Sequence, residues 1–195
     1  MSGYTVLIVP GLRDHVPGHW QTILEARLAS QGRKVRAVAP MGRGDLDCGA
    51  RLQAIERAAQ AIDGPLLLVA HSGGCIMVAH WAQQTTRRVA GALLAAPPDF
   101  ESPMPEGYPT LAELSDAGWL PVPRTVLPFP SLVATSSDDP LGALERVREL
   151  AEDWGGREVH LGAVGHLNPA SGYGDWPQAD SLLRELAVSA ALQQA

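Results

Sequence analysis

The sequence predicts an α/β protein, a three-layer α/β/α arrangement around a central, mostly parallel sheet of about six strands. Strand-like apolar runs alternate with helical patterns from one end of the chain to the other. The strands are apolar continuously rather than at every second residue, as in Leu66-Leu67-Leu68-Val69, which suits a parallel sheet covered on both faces. A chain of 195 residues, 46% hydrophobic and 18% charged, can build one substantial core and is short for two. A single domain over residues 1–195 is expected.

Tyr4–Val9 reads as the first strand, and Trp20, Ile23, Leu24 and Leu28 then fall on one helical face. Val35–Ala39 is a second strand, and Leu52, Ile55, Ala59 and Ile62 mark a second helix. Pro65–Ala70 is a third strand that runs into a helix extending to about Gln84. Val89–Ala95 and Ser131–Thr135 supply strands four and five. Leu144, Val147, Ala151 and Trp154 line a charged amphipathic helix that Gly155-Gly156 ends. Arg157–Leu161 is the sixth strand, and Leu182, Leu183 and Leu186 anchor a closing helix. Residues 97–130 break the rhythm with nine of the sixteen prolines, together with Tyr108, Trp119 and Phe129. A long insertion after a strand end reads either as an active-site cover or as a rigid excursion filling one edge.

The junction between the third strand and its helix carries the chemistry. Ala70 and Gly74 flank Ser72 at minus two and plus two, where a sharp strand-to-helix turn has no room for large side chains. This is a nucleophile elbow with Ala in place of the first Gly. Ala187-Val188-Ser189-Ala190-Ala191 matches the same loosened pattern, but no strand precedes it. The elbow would lift the Ser72 hydroxyl above the sheet and leave the Gly73 amide free for an oxyanion. The second amide is expected from the loop after the first strand, at Leu12.

A serine hydroxyl needs a base to take its proton and an acid to orient that base. His166, in the loop after the sixth strand, is the expected base. The acid is expected from the loop after the fifth strand, at Asp139 or its neighbour Asp138, or from Asp99 after the fourth strand. Asp139 before Pro140 also reads as a helix N-cap followed by Pro at N1. His71 precedes the nucleophile, and its side chain is expected to point away. His15, His19, Trp20 and Trp119 are expected pocket residues.

Several motifs stand in register along nearly the whole chain. They are Val9-Pro10-Gly11 with Gly18-His19-Trp20-Gln21, Ala70-His71-Ser72-Gly73-Gly74-Cys75, Ala95-Ala96-Pro97-Pro98-Asp99, Leu127-Pro128-Phe129-Pro130-Ser131, Ser137-Asp138-Asp139-Pro140, Asp153-Trp154-Gly155, and Gly165-His166-Leu167-Asn168 followed by 170–176. Together they resemble the small serine hydrolases of the YdeN and retinoblastoma-binding-protein-nine type, within the α/β-hydrolase superfamily. The resemblance implies a lidless or lightly covered hydrolase with a Ser-Asp-His triad, its acid on the aspartate before proline, Asp139. Two positions depart from the pattern: Gly73, where many bacterial members carry Leu, and Leu24, where an aromatic is common. Glycine keeps the amide donor and is expected to open space beside Ser72.

The expected function is hydrolysis of a small-molecule ester or acyl substrate through an acyl-enzyme on Ser72, with no cofactor and no metal. The alternative is a hydrolase-fold binding or regulatory protein, with a misaligned or blocked triad. A net charge of −6 argues against a nucleic-acid partner. No apolar run is long enough to span a membrane. Cys48 and Cys75 form no disulfide framework, and a cytoplasmic location is expected. Arg43-Gly44-Asp45 spells an adhesion tripeptide by chance.

Overall fold

The computed structural model describes residues 3–13, 16–42 and 44–192. Six strands, β1 (Thr5–Val9), β2 (Val35–Ala37), β3 (Leu66–His71), β4 (Val89–Ala95), β5 (Ser131–Thr135) and β6 (Arg157–His160), form one sheet in the order β2-β1-β3-β4-β5-β6. Every neighbouring pair is parallel. The helices are α1 (Trp20–Ser30), α2 (Cys48–Gln60), α3 (Gly73–Ala82), α4 (Leu111–Asp116), α5 (Leu144–Asp153) and α6 (Gln178–Leu192).

The continuously apolar strands are explained by two cores, one on each face. Leu7, Val9, Leu68, Ala70 and Leu94 point into the core shared with α2, α3 and α5. Val6, Ile8, Leu67, Val69 and Leu93 point into the opposite core, shared with α1 and α6. Alternate residues of each strand face opposite ways, so both sets must be apolar when both faces are covered.

The winding positions the site. The chain leaves β1 for β2 on one side, then crosses back to β3 on the other. The strand order therefore reverses between β1 and β3, and ligand crevices form at such points, outside the carboxyl ends of the strands. The register Val9↔Ala70 sets the loop after β1 directly beside the turn after β3.

The segment 97–130 holds the short helix α4, which the sequence reading does not anticipate. Thr110 and Glu113 close a reciprocal capping box at its start. Phe100, Leu114, Trp119, Val122, Leu127 and Phe129 are buried in the α2/α3 core. Indole N–H groups fasten the segment to the body: Trp119 Nε1 donates to the Leu46 carbonyl at 2.7 Å, and Trp154 Nε1 to that of Pro123 at 2.8 Å. Arg124 pairs with Glu101 and Asp153.

Two further expectations are corrected. The strand expected over Val35–Ala39 ends at Ala37, although Val38 still donates to Ile8. Asp139 does not cap α5, whose N-cap is Ala143. Its carboxylate instead accepts from the Leu141 amide at 2.9 Å, the two-residue reach of an Asx turn. That local bond turns the chain ahead of α5, which begins at Leu144.

Candidate active site

Ser72 sits at φ 54°, ψ −132°, between β3 and α3. A side chain with positive φ costs about 1–3 kcal/mol and persists only where its surroundings enforce it. The enforcement is visible: the Ser72 amide donates to Ala95 at 2.9 Å, and its carbonyl accepts from Cys75 at 2.8 Å. Gly74 is required by contact. A Cβ there would lie 2.6 Å from the Val9 carbonyl oxygen and 2.7 Å from that of Pro10, both backbone atoms. The other positive-φ non-glycine residues among those described, Ala96 and Leu167, follow β4 and flank His166. Backbone strain is thus concentrated on the loops around Ser72.

The loops after β3, β5 and β6 bring Ser72, Asp139 and His166 together. Ser72 Oγ lies 2.8 Å from His166 Nε2. His166 Nδ1 lies 2.8 Å from Asp139 Oδ2 and 3.0 Å from Oδ1. Asp139 and His166 are both buried.

The other two candidate acids are engaged elsewhere. Asp138 is exposed, and its Oδ1 accepts from the Gly165 amide at 2.7 Å and from Ser136 Oγ at 2.8 Å. The Gly165 bond, then that of Ser136, lowers its pKa below the usual carboxylate value. Asp99 accepts from Ser102 Oγ, the Glu101 amide and Arg146 Nε. Burial pushes its pKa up, but these hydrogen bonds outweigh it and hold the carboxyl below its ordinary value.

The backbone of His166 is fixed at both ends. Its amide donates to Ser171 Oγ at 3.0 Å, and its carbonyl lies 2.9 Å from His71 Nε2. His71 therefore does not point away from the site: its ring centroid is 4.9 Å from that of His166 and 4.5 Å from that of His19. Burial, then the neighbouring His166 and His19, pushes its pKa well below that of an ordinary histidine. A neutral His71 with its proton on Nε2 fits the one acceptor it faces. His71, Ser136 and Ser171 support the site and were missed as such; only His71, by adjacency to Ser72, carried any signal.

Ser72 and His166 open onto a cavity of about 260 Å³. Leu12 and His19 line it from the β1 side, and Phe100, Met104 and Tyr108 form a wall from the 97–130 segment. His19 also caps α1, its Nδ1 accepting from the Gln21 amide at 3.2 Å. Gln21, another lining residue, ties the ends of β1 and β3 by donating to Val9 and Val69. Trp20 and Trp119, expected in the pocket, are absent from its lining and fully buried behind it. Trp20 packs edge-on against Trp176, and Trp119 edge-on against Phe100. His15, the remaining expected pocket residue, lies outside the described residues.

Gly73 is the first residue of α3, so its amide has no intrahelical acceptor. The space expected beside it is closed. A Cβ at Gly73 would meet Leu12 Cγ at 3.0 Å and Phe100 Cζ at 3.5 Å, because these side chains occupy the place a residue there would take.

A family profile for serine hydrolases matches residues 6–185. The chain belongs to the serine hydrolase family. It is an enzyme of the serine hydrolase type with the three-layer α/β-hydrolase fold. A YdeN-like hydrolase from Pectobacterium atrosepticum superposes with TM-score 0.78 at 26% identity, covering 97% of this chain and 92% of that one. The ydeN product of B. subtilis gives 0.68 at 17% identity, over 95% and 98%. A monoacylglycerol lipase from Paleococcus ferrophilus gives 0.68 at 16%, over 96% and 93%, a likeness of fold alone. No curated protein matches the chain by sequence. Among the described residues, no helix of this serine hydrolase is long and apolar enough to cross a membrane.

Proposed function

We propose that this serine hydrolase cleaves carboxylic esters of small molecules, with Ser72, His166 and Asp139 as its triad. The observation that carries the reading is the continuous Ser72–His166–Asp139 hydrogen-bond line opening on a cavity. With His166 keeping its proton on Nδ1 and donating it in a hydrogen bond to Asp139, Nε2 is left with a lone pair directed at the Ser72 hydroxyl. Ser72 Oγ attacks the ester carbonyl as His166 Nε2 takes its proton. The tetrahedral oxyanion is held by the amides of Gly73 and Leu12. His166 returns the proton to the departing alcohol, leaving Ser72 acylated. Water then attacks the acyl-enzyme with His166 as base, releasing the acid and restoring Ser72.

A binding module with a dead elbow would be expected to show a misaligned or blocked set of residues. The 2.8 Å contact and the open cavity count against it. A fluorophosphonate should label Ser72 and abolish hydrolysis of p-nitrophenyl butyrate. Failure of the native protein to label, or undiminished hydrolysis by Ser72→Ala, overturns the reading.

A further inference from the structure

One charge faces the cavity. Arg13 follows Leu12 in the loop after β1, and it is the sole Lys, Arg, Asp or Glu lining the cavity among the described residues. Its guanidinium carbon lies 4.8 Å from the centroid of the Tyr108 ring, across the cavity wall formed by the 97–130 segment. No carboxylate stands within ion-pair distance of it among the described residues. The other arginines near this segment, Arg124 and Arg146, are taken up by Glu101, Asp153 and Asp99.

The pairing with Tyr108 suits an anion receptor. A guanidinium over an aromatic ring is held in place by the ring's quadrupole while its N–H groups stay free in its own plane. Those donors match the two oxygens of a carboxylate. Elsewhere the lining among the described residues is apolar, aromatic, amide, hydroxyl or imidazole, with no other Lys or Arg to meet a substrate anion.

We propose that the site selects esters bearing a carboxylate away from the scissile bond, with Arg13 binding that carboxylate and Tyr108 holding Arg13 in place. The proposal rests on the ester-hydrolase reading above. Two substrate pairs separate the acyl side from the alcohol side: p-nitrophenyl hydrogen glutarate against p-nitrophenyl valerate, and 4-acetoxybenzoate against phenyl acetate. The quantity read is the anionic-to-neutral ratio of kcat/KM, with active sites counted by fluorophosphonate labelling.

In at least one pair the native ratio should exceed that of Arg13→Gln by about three- to tenfold, the scale of a partly exposed charge-assisted pair. Arg13→Lys and Tyr108→Leu should fall between. The native advantage should shrink in about 0.5 M salt. Ratios in both pairs that Arg13→Gln leaves unmoved, with Ser72 labelled and the neutral esters turned over, overturn the role of Arg13 alone. If no ester of either kind is turned over, the ester-hydrolase reading fails and the selectivity falls with it.

Discussion

Asp138 accepts a 2.7 Å hydrogen bond from the backbone amide of Gly165, the residue before His166. Its neighbour Asp139 accepts from the His166 ring itself. Two adjacent carboxylates thus grip one loop, one by its backbone and one by its imidazole. Ser136 joins them, donating to Asp138 and accepting from the Val164 amide at 3.2 Å.

This division separates two substitutions that look alike in the sequence. Asp139→Asn should lower kcat by about a thousand- to ten-thousandfold, since an amide in that place can favour the wrong imidazole tautomer. Asp138→Asn keeps an acceptor for Gly165 and should cost no more than about ten- to a hundredfold, the range for a residue acting through another's position. Steady-state ester hydrolysis compares the two. Equal losses would mean that Asp139 has no special place beside His166.

His71 adds a pH dependence to stability. Its pKa in the fold is depressed, so below the unfolded value of about 6.5 the unfolded chain binds more protons than the native one. The contribution of His71 is therefore fully present above that value and is lost as pH falls toward its folded pKa. The slope can reach about 1.4 kcal/mol per pH unit for one proton. His71→Gln supplies an N–H for the His166 carbonyl but cannot titrate. The native Tm should fall between pH 7 and pH 5 more steeply than that of His71→Gln. Parallel Tm profiles would show that His71 is not held neutral. Asp99 and Asp138 act in a separate window: their pKa values are depressed below 3.8, so their contributions are lost only in stronger acid.

Much of this fold was legible because parallel strands buried on both faces must be apolar throughout, as Leu66–Val69 are. The elbow was legible because Gly74 has backbone oxygens where a side chain would go. Among the candidate acids the residues alone favoured Asp139 and left Asp138 and Asp99 open; the resemblance then pointed to Asp139. Asp138 and Asp139 diverge through the Ser136 hydroxyl and the Asx turn to Leu141, bonds that no spacing rule encodes. Trp20 lies in the Gly18–Gln21 motif and Trp119 in the 97–130 segment read as a possible cover, so both looked like pocket walls, yet a large ring is as useful behind a wall as in it. Helix α4 left a signal, Thr110 and Glu113 at capping-box spacing, hidden among prolines.

The cysteines should be silent in the native protein. Burial pushes the Cys48 thiol up to about 11 and raises Cys75 well above its ordinary value. Thiolate is the reactive form, so neither should react readily with iodoacetamide at pH 8. Both should react in denaturant, as counted by mass spectrometry. Native labelling of Cys75 would mean that α3 opens beside the elbow.

Gly73 and Gly74 are neighbours with opposite tolerance. At Gly74 the obstacles are backbone carbonyl oxygens, those of Val9 at the end of β1 and of Pro10 just after it, so Gly74→Ala must move either the end of β1 or the elbow. Overpacking of this kind costs about 1–3 kcal/mol, and here it also displaces Ser72, so activity should fall by more than about a hundredfold. At Gly73 the obstacle is the Leu12 side chain, half-exposed on the cavity and able to change rotamer. Gly73→Ala should cost less than about 1 kcal/mol in urea denaturation and shift the preferred acyl length, because Leu12 must retreat into the space where substrate sits. The double variant Gly73→Ala/Leu12→Ala should recover the stability lost and accept longer p-nitrophenyl esters than the native protein. If Gly73→Ala leaves the acyl-length profile untouched, Leu12 does not border the acyl group.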